Sequence, residues 1–152
     1  MTRKGELLAV YQDGTNKLID NTYEAIKEAM NGAIIDLVGL TEDTAMFVDD
    51  NGMIEALTLN VPASLFAGRA LYGPVVLCGA ADDEGETMEP PSDAFYAFQV
   101  LARMWGRVAD DAKAKNQSLD IPANADTLPP PQIIEMTAEM FDEYLRTGEV
   151  PQ

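Results

Sequence analysis

The chain has 152 residues, with 26 Asp plus Glu against 10 Lys plus Arg, no histidine and one cysteine, for a formal net charge of −16. Without histidine the commonest general base and metal ligand are both missing, and a single cysteine makes no intramolecular disulfide. Such a charge repels nucleic acid and anionic membrane and attracts basic surfaces, while no apolar run nears the roughly 20 residues of a membrane span and no apolar signal core opens the chain, so a cytoplasmic protein is expected.

Residues 7–11 (LLAVY) read as a strand, 12–15 (QDGT) as a tight turn and 17–19 as a second strand, giving an opening hairpin. Asn21 or Thr22 caps a helix through about Met30, with Tyr23, Ile26 and Met30 at helical spacing, and Asn31-Gly32 ends it. Residues 33–38 form the next strand. Residues 44–48 and 53–59 read as two more, joined by Asp49-Asp50-Asn51-Gly52, because Asn-Gly is the strongest short-range hairpin signal. Asn60 is an N-cap with Pro62 in the first turn of a short helix through Ala67. Gly73-Pro74 breaks the chain before 75–79 (VVLCG), a compact and central strand.

Residues 82–91 (DDEGETMEPP) read as a solvated acidic loop and a boundary. Ser92 or Asp93 then caps the longest helix, to about Lys115. Its apolar stripe is Phe95, Phe98, Leu101 with Ala102, Trp105, Val108 with Ala109, and Ala112. Residues 116–131 form an extended connector, and Thr137 caps a last amphipathic helix through Arg146. The expected class is α+β: a small, mostly antiparallel sheet with short helices, then a long amphipathic helix and a C-terminal helix. Residues 1–89 form the core domain and 90–152 a helical extension packed on that core or on a partner subunit.

The ordered signals Asp13-Gly14, Asn31-Gly32-Ala33-Ile34-Ile35-Asp36, Asp50-Asn51-Gly52, Asn60-Val61-Pro62-Ala63 and Gly73-Pro74-Val75-Val76 span about half the chain. Over residues 10–86 this pattern resembles an uncharacterised family of bacteriophages and actinobacterial mobile elements, known as a domain of unknown function. Where the family has two glycines before the central strand, this chain has Gly32 alone. The resemblance implies an α+β fold and a phage or mobile-element origin, and it supplies no catalytic residue.

The residues themselves offer little chemistry. Cys78 sits in an apolar strand with no activating histidine, which favours a buried structural role. Ser64, Ser92 and Ser118 stand in no nucleophile motif. Asp49-Asp50-Asn51-Gly52 lacks the alternating ligands and closing glutamate of a calcium loop, and a hairpin turn explains it better. Carboxylate pairs such as Asp82/Asp83 are expected by chance in so acidic a chain. Neither a metal nor a cofactor is expected, nor an enzyme.

What remains is binding. The acid is uneven: residues 41–92 carry 10 acids against Arg69 alone. One account is solubility; the other is a surface built to meet a basic partner. The expected role is a non-catalytic accessory protein in the cytoplasm of a host bacterium. It would bind a host protein with a basic surface, mimicking nucleic-acid charge and not binding nucleic acid or membrane. Its candidate contacts are Asp82, Asp83, Glu84, Glu86 and Glu89 in the acidic loop, and Glu139, Asp142 and Glu143 on the last helix. The alternative is a module sequestering a nucleotide-type anion with Arg103 and Arg107, which stand i, i+4 on the long helix. Phe95, Tyr96, Phe98, Met104 and Trp105 on that helix read as core or dimer seam, with a partner-binding face as the alternative. The apolar helix faces exceed what one small sheet needs, which allows a homodimer.

Overall fold

The computed structural model describes residues 6–33, 35–50, 57–82, 86–114, 139 and 146. The chain opens with strands β1 (Glu6–Val10) and β2 (Asn16–Asp20), joined by the expected tight turn. Asp13 carries that turn by accepting from the backbone N–H of Thr15 at 2.9 Å and from its hydroxyl at 2.7 Å. Helix α1 (Tyr23–Ala29) is capped by Thr22, whose hydroxyl accepts from the N–H of Ala25. It closes through Asn31 and Gly32, both at positive φ. Then come β3 (Ile35–Gly39), β4 (Thr44–Asp49), α2 (Val61–Ala67), β5 (Val75–Gly79) and the 23-residue α3 (Ser92–Ala114).

The five strands make one sheet in the order β2-β1-β5-β4-β3, every neighbouring pair antiparallel. β5 is the central strand, and all five of its residues are buried. An antiparallel sheet often leaves one face to water, but here both are covered, which is why β1 and β5 read as continuous apolar runs. Leu8, Val10, Met46, Val48, Val75 and Leu77 face α2 and α3, where they pack with Ala63, Phe98 and Ala102. Leu7, Ala9, Ala45, Val76 and Cys78 point the other way, against Ile26, Ala29 and Met30 of α1 and its end. The molecule is therefore α+β.

Two expectations met a different arrangement. Ala45, Met46 and Phe47 of β4 are paired on one side with β3 and on the other with β5. A hairpin partner from 53–59 has no free edge there. Residues 51–56 lie outside the described residues, and Thr58 and Leu59 instead run against 72–73: Leu59 bridges Tyr72, and Gly73 N–H donates to the Thr58 carbonyl at 2.9 Å. Tyr23, expected on the apolar face of α1, is 68% exposed. The 116–131 connector and most of the last helix lie outside the described residues; Glu139 and Arg146 are helical and exposed.

The long helix spends its apolar face inside the chain. Phe98, Leu101, Ala102, Met104 and Trp105 are buried, with Phe98 stacked on Phe66 of α2 at 4.7 Å between ring centres. The Trp105 indole N–H donates to the Gln12 carbonyl at 3.0 Å, fastening α3 to the first turn. Gly14 makes that approach possible: at φ +89° a side-chain carbon there would lie 2.6 Å from the Gly106 nitrogen. No helix among the described residues is long and apolar enough to cross a membrane.

The buried Asn60 ties these layers together. Its side chain accepts from Ala63 N–H at 3.1 Å and donates to the carbonyls of Val10 at 3.0 Å and Gly73 at 2.9 Å. Replacing it by alanine removes a helix cap and leaves two buried carbonyls short of a donor. Asn60→Ala is expected to cost about 2–4 kcal/mol in urea unfolding, against about 1 kcal/mol for an exposed cap such as Thr22→Ala.

Candidate functional site

The acidic residues fall into three places. Asp82, Glu86 and Glu89 belong to a segment that folds back on the end of β5; Asp83 and Glu84 lie outside the described residues. Hydrogen bonds hold the segment's described residues. Ala81 bridges Thr87, the Asp82 N–H donates to the Glu86 carbonyl at 2.9 Å, and the Glu86 N–H donates to the Asp82 carboxylate at 2.9 Å. The Asn21 amide donates to the Thr87 carbonyl at 2.6 Å, tying the segment to the start of α1. Gly79 N–H donates to the Met88 carbonyl at 2.7 Å, and a side-chain carbon at Gly79 would strike the carbonyl of Glu89. Glu139 is exposed, and Asp142 and Glu143 lie outside the described residues.

The return segment walls an open cleft of about 760 Å³ at one end of the sheet. Its lining comes from the start of β1, from β2, from the turn before β4, from the end of β5 and from the first turns of α3. Leu18, Met88, Pro90, Pro91, Phe95 and Tyr96 give it an apolar surface, and Glu6, Glu42, Asp43 and Glu89 make it acidic. Among the described residues, no lysine or arginine lines it. Leu18, Met88 and Tyr96 are 44%, 42% and 59% exposed, the largest exposures of big apolar side chains among the described residues apart from Leu37 and Tyr23. The Tyr96 ring meets Phe95 edge-on at 5.5 Å, which leaves one aromatic partly sunk and the other turned outward.

Asp43 is held ionised. Its carboxylate accepts from the Thr41 hydroxyl at 2.8 Å and from the Thr44 hydroxyl at 3.0 Å, and these bonds keep its pKa below the usual carboxylate value. Asp43 therefore stays ionised further into acid than a carboxylate without such bonds.

Of the acidic and arginine contacts expected from the sequence, Glu89 is the one that lines this cleft among the described residues. Asp82 and Glu86 stand on the exposed side of the return segment. Arg103 and Arg107 are exposed on α3 beyond the cleft. Glu6, Leu18, the adjacent Glu42 and Asp43, and Met88 escaped notice because they come from separate stretches of sequence that only the fold brings together. Of the large α3 side chains read as core or seam with a partner-binding face as the alternative, Phe95 and Tyr96 line the cleft, while Phe98, Met104 and Trp105 are buried. Tyr96 falls off the helical stripe set by Phe95, Phe98 and Leu101.

Cys78 points into the core on the α1 side with no exposed surface, and burial pushes its thiol up from the ordinary 9.0 to about 12. Among the described residues no group of three or more Cys, Asp or Glu stands together in a way that could hold a metal ion. The motifs that carry the family likeness also have structural work. Asp13-Gly14 makes the turn that admits α3, Asn60 caps α2, and Gly73 sits at φ +90° against Leu57.

A family model described as a domain of unknown function (DUF3846) matches residues 7–101, and the chain belongs to that family. The match runs from β1 into α3, beyond the 10–86 of the sequence resemblance, and takes in every cleft residue except Glu6. No curated protein and no solved structure matches the chain.

At about pH 8 the native Cys78 thiol should resist an aromatic disulfide reagent that modifies the urea-unfolded chain quickly, since only thiolate reacts. The unfolded thiol releases its proton near 9.0 and the folded one near 12. The folded state therefore holds the extra proton, and stability falls as pH rises from about 9. Cys78→Ala should lose that part of the alkaline slope.

Proposed function

We propose that this family member is a non-catalytic accessory protein of a phage or mobile element that binds a basic surface on a host protein. The observation that carries this is the cleft, where four acidic residues converge on exposed apolar side chains with no lysine or arginine among its described lining residues. Acid spread only for solubility has no reason to gather around the apolar surface that a partner would cover. An ionised Asp43 and a net charge of −16 add a field that draws a basic partner in and turns phosphate away.

A host protein that binds nucleic acid presents such a basic surface, and the acidic cleft face would occupy it in place of phosphate. The buried, protonated Cys78 supports a role without covalent chemistry. Anion capture by Arg103 and Arg107 has weaker support, because both are exposed and neither belongs to the cleft.

The test uses the tagged full-length chain against lysate of a bacterial host. A nucleic-acid-binding protein should be retained at low salt. It should be released at least tenfold more readily as screening shortens from about 10 Å at 0.1 M to about 3 Å at 1 M. Duplex DNA should compete for that protein. Retention unmoved by salt, or a partner for which DNA does not compete, would overturn the charge-mimic role.

A further inference from the structure

From the cleft's lining we infer that it receives one kind of occupant: a basic segment of the partner in which an arginine or lysine stands beside an apolar side chain. This inference rests on the function proposed above and locates where the partner is read.

Two kinds of surface meet in the cleft. Leu18, Met88 and Tyr96 are 44%, 42% and 59% exposed, so an apolar side chain laid on them would lose contact with water. Beside them stand Glu42, Asp43 and Glu89, with Asp43 kept ionised by two threonine hydroxyls. A long basic side chain matches both features at once. Its methylene stem lies along apolar surface, its charged head reaches a carboxylate, and an aromatic ring such as Tyr96 attracts the cation through its face. The volume of about 760 Å³ falls within the roughly 300–1,000 Å³ typical of ligand sites, enough for a few side chains of an extended segment.

Charge sorts the other occupants. A second copy of the chain brings a net charge of −16 to the same place. The chain's own residues 116–152 hold seven acids against Arg146 alone, so they share the sign of the cleft. A phosphate or nucleotide meets four acidic lining residues and, among the described lining, no lysine or arginine.

The probe is a fluorescein-labelled nonapeptide alternating arginine and leucine, read by fluorescence anisotropy with the full chain. A peptide alternating arginine and serine is the comparison. Leu18→Ser with Tyr96→Ser removes the apolar surface, and Glu42→Gln with Glu89→Gln removes charge. Glu24→Gln with Glu28→Gln removes equal charge from α1, outside the cleft. All six residues are exposed or half-buried, and near-UV circular dichroism checks that each variant keeps its packing. Each cleft pair should weaken the arginine–leucine peptide by about tenfold or more, as expected for losing buried apolar area or an ion pair, and the α1 pair by less than about twofold. The arginine–serine peptide should bind at least about tenfold more weakly.

Equal weakening by the α1 pair and the cleft acid pair would overturn the inference, because the attraction would then be diffuse charge. So would an unchanged affinity in the Leu18/Tyr96 variant. If that variant still captures a host protein in a salt-sensitive, DNA-competed way, the cleft inference fails while the charge-mimic role stands. If the peptide binds in the cleft and no such host protein is captured, the inference holds and the charge-mimic role fails.

Discussion

One buried side-chain amide, that of Asn60, joins the start of α2, the end of β1 and the chain before β5. It has no exposed surface, so each of its polar atoms must find a partner within the protein. Its oxygen caps α2, while its nitrogen holds the end of β1 and the chain just before β5. The backbone of Asn60 adds to this by donating to the Leu71 carbonyl and accepting from Ser64. The short helix is thereby fixed against the middle of the sheet. Phe66 on that helix stacks on Phe98 and seats α3, and α3 in turn carries Tyr96 and Phe95 to the cleft. The cleft's aromatic wall is thus several contacts downstream of one amide.

The cleft exists because the covering layers stop short. α1 covers one face of the sheet, and α2 with α3 the other. At the end where β1 starts and β5 finishes, the chain leaves β5 and must return to begin α3. The hydrogen bond from Gly79 to Met88 and the missing side chain at Gly79 let the return segment cross tightly over the strand end. That crossing holds Met88, Glu89 and two prolines against the first turns of α3. Hydrogen-bonded backbone therefore presents the exposed Met88 beside the first turns of α3.

Most of the fold was legible because its signals are local. The Asp13-Gly14 turn, the Thr22 and Asn60 caps and the stripe from Phe98 to Trp105 each need only a few neighbouring residues to be read. Sheet order is not local. Asn51-Gly52 favours a turn between 44–48 and 53–59, but nothing in that pair of residues says that β4 is already flanked by β3 and β5. The cleft failed to show for the same reason. Its acids come one or two at a time from Glu6, Glu42, Asp43 and Glu89, whereas the eye is drawn to the dense run at 82–86. Density of charge marks a turn that water can solvate; convergence of charge on apolar surface is a property of the folded chain alone.

That convergence also bears on why the chain can leave such a surface open. Exposed apolar patches invite self-association, and a second copy would bury Leu18, Met88 and Tyr96 as well as any partner would. Two clefts placed face to face bring eight acidic residues together without a lysine or arginine among the described lining, inside a pair of chains each carrying −16. Like charges in apolar surroundings repel more strongly than in water, because less solvent screens them. The same carboxylates that would receive a cation therefore oppose self-pairing through this surface. For the proposed partner, specificity would rest on rejecting the wrong sign as much as on attracting the right one.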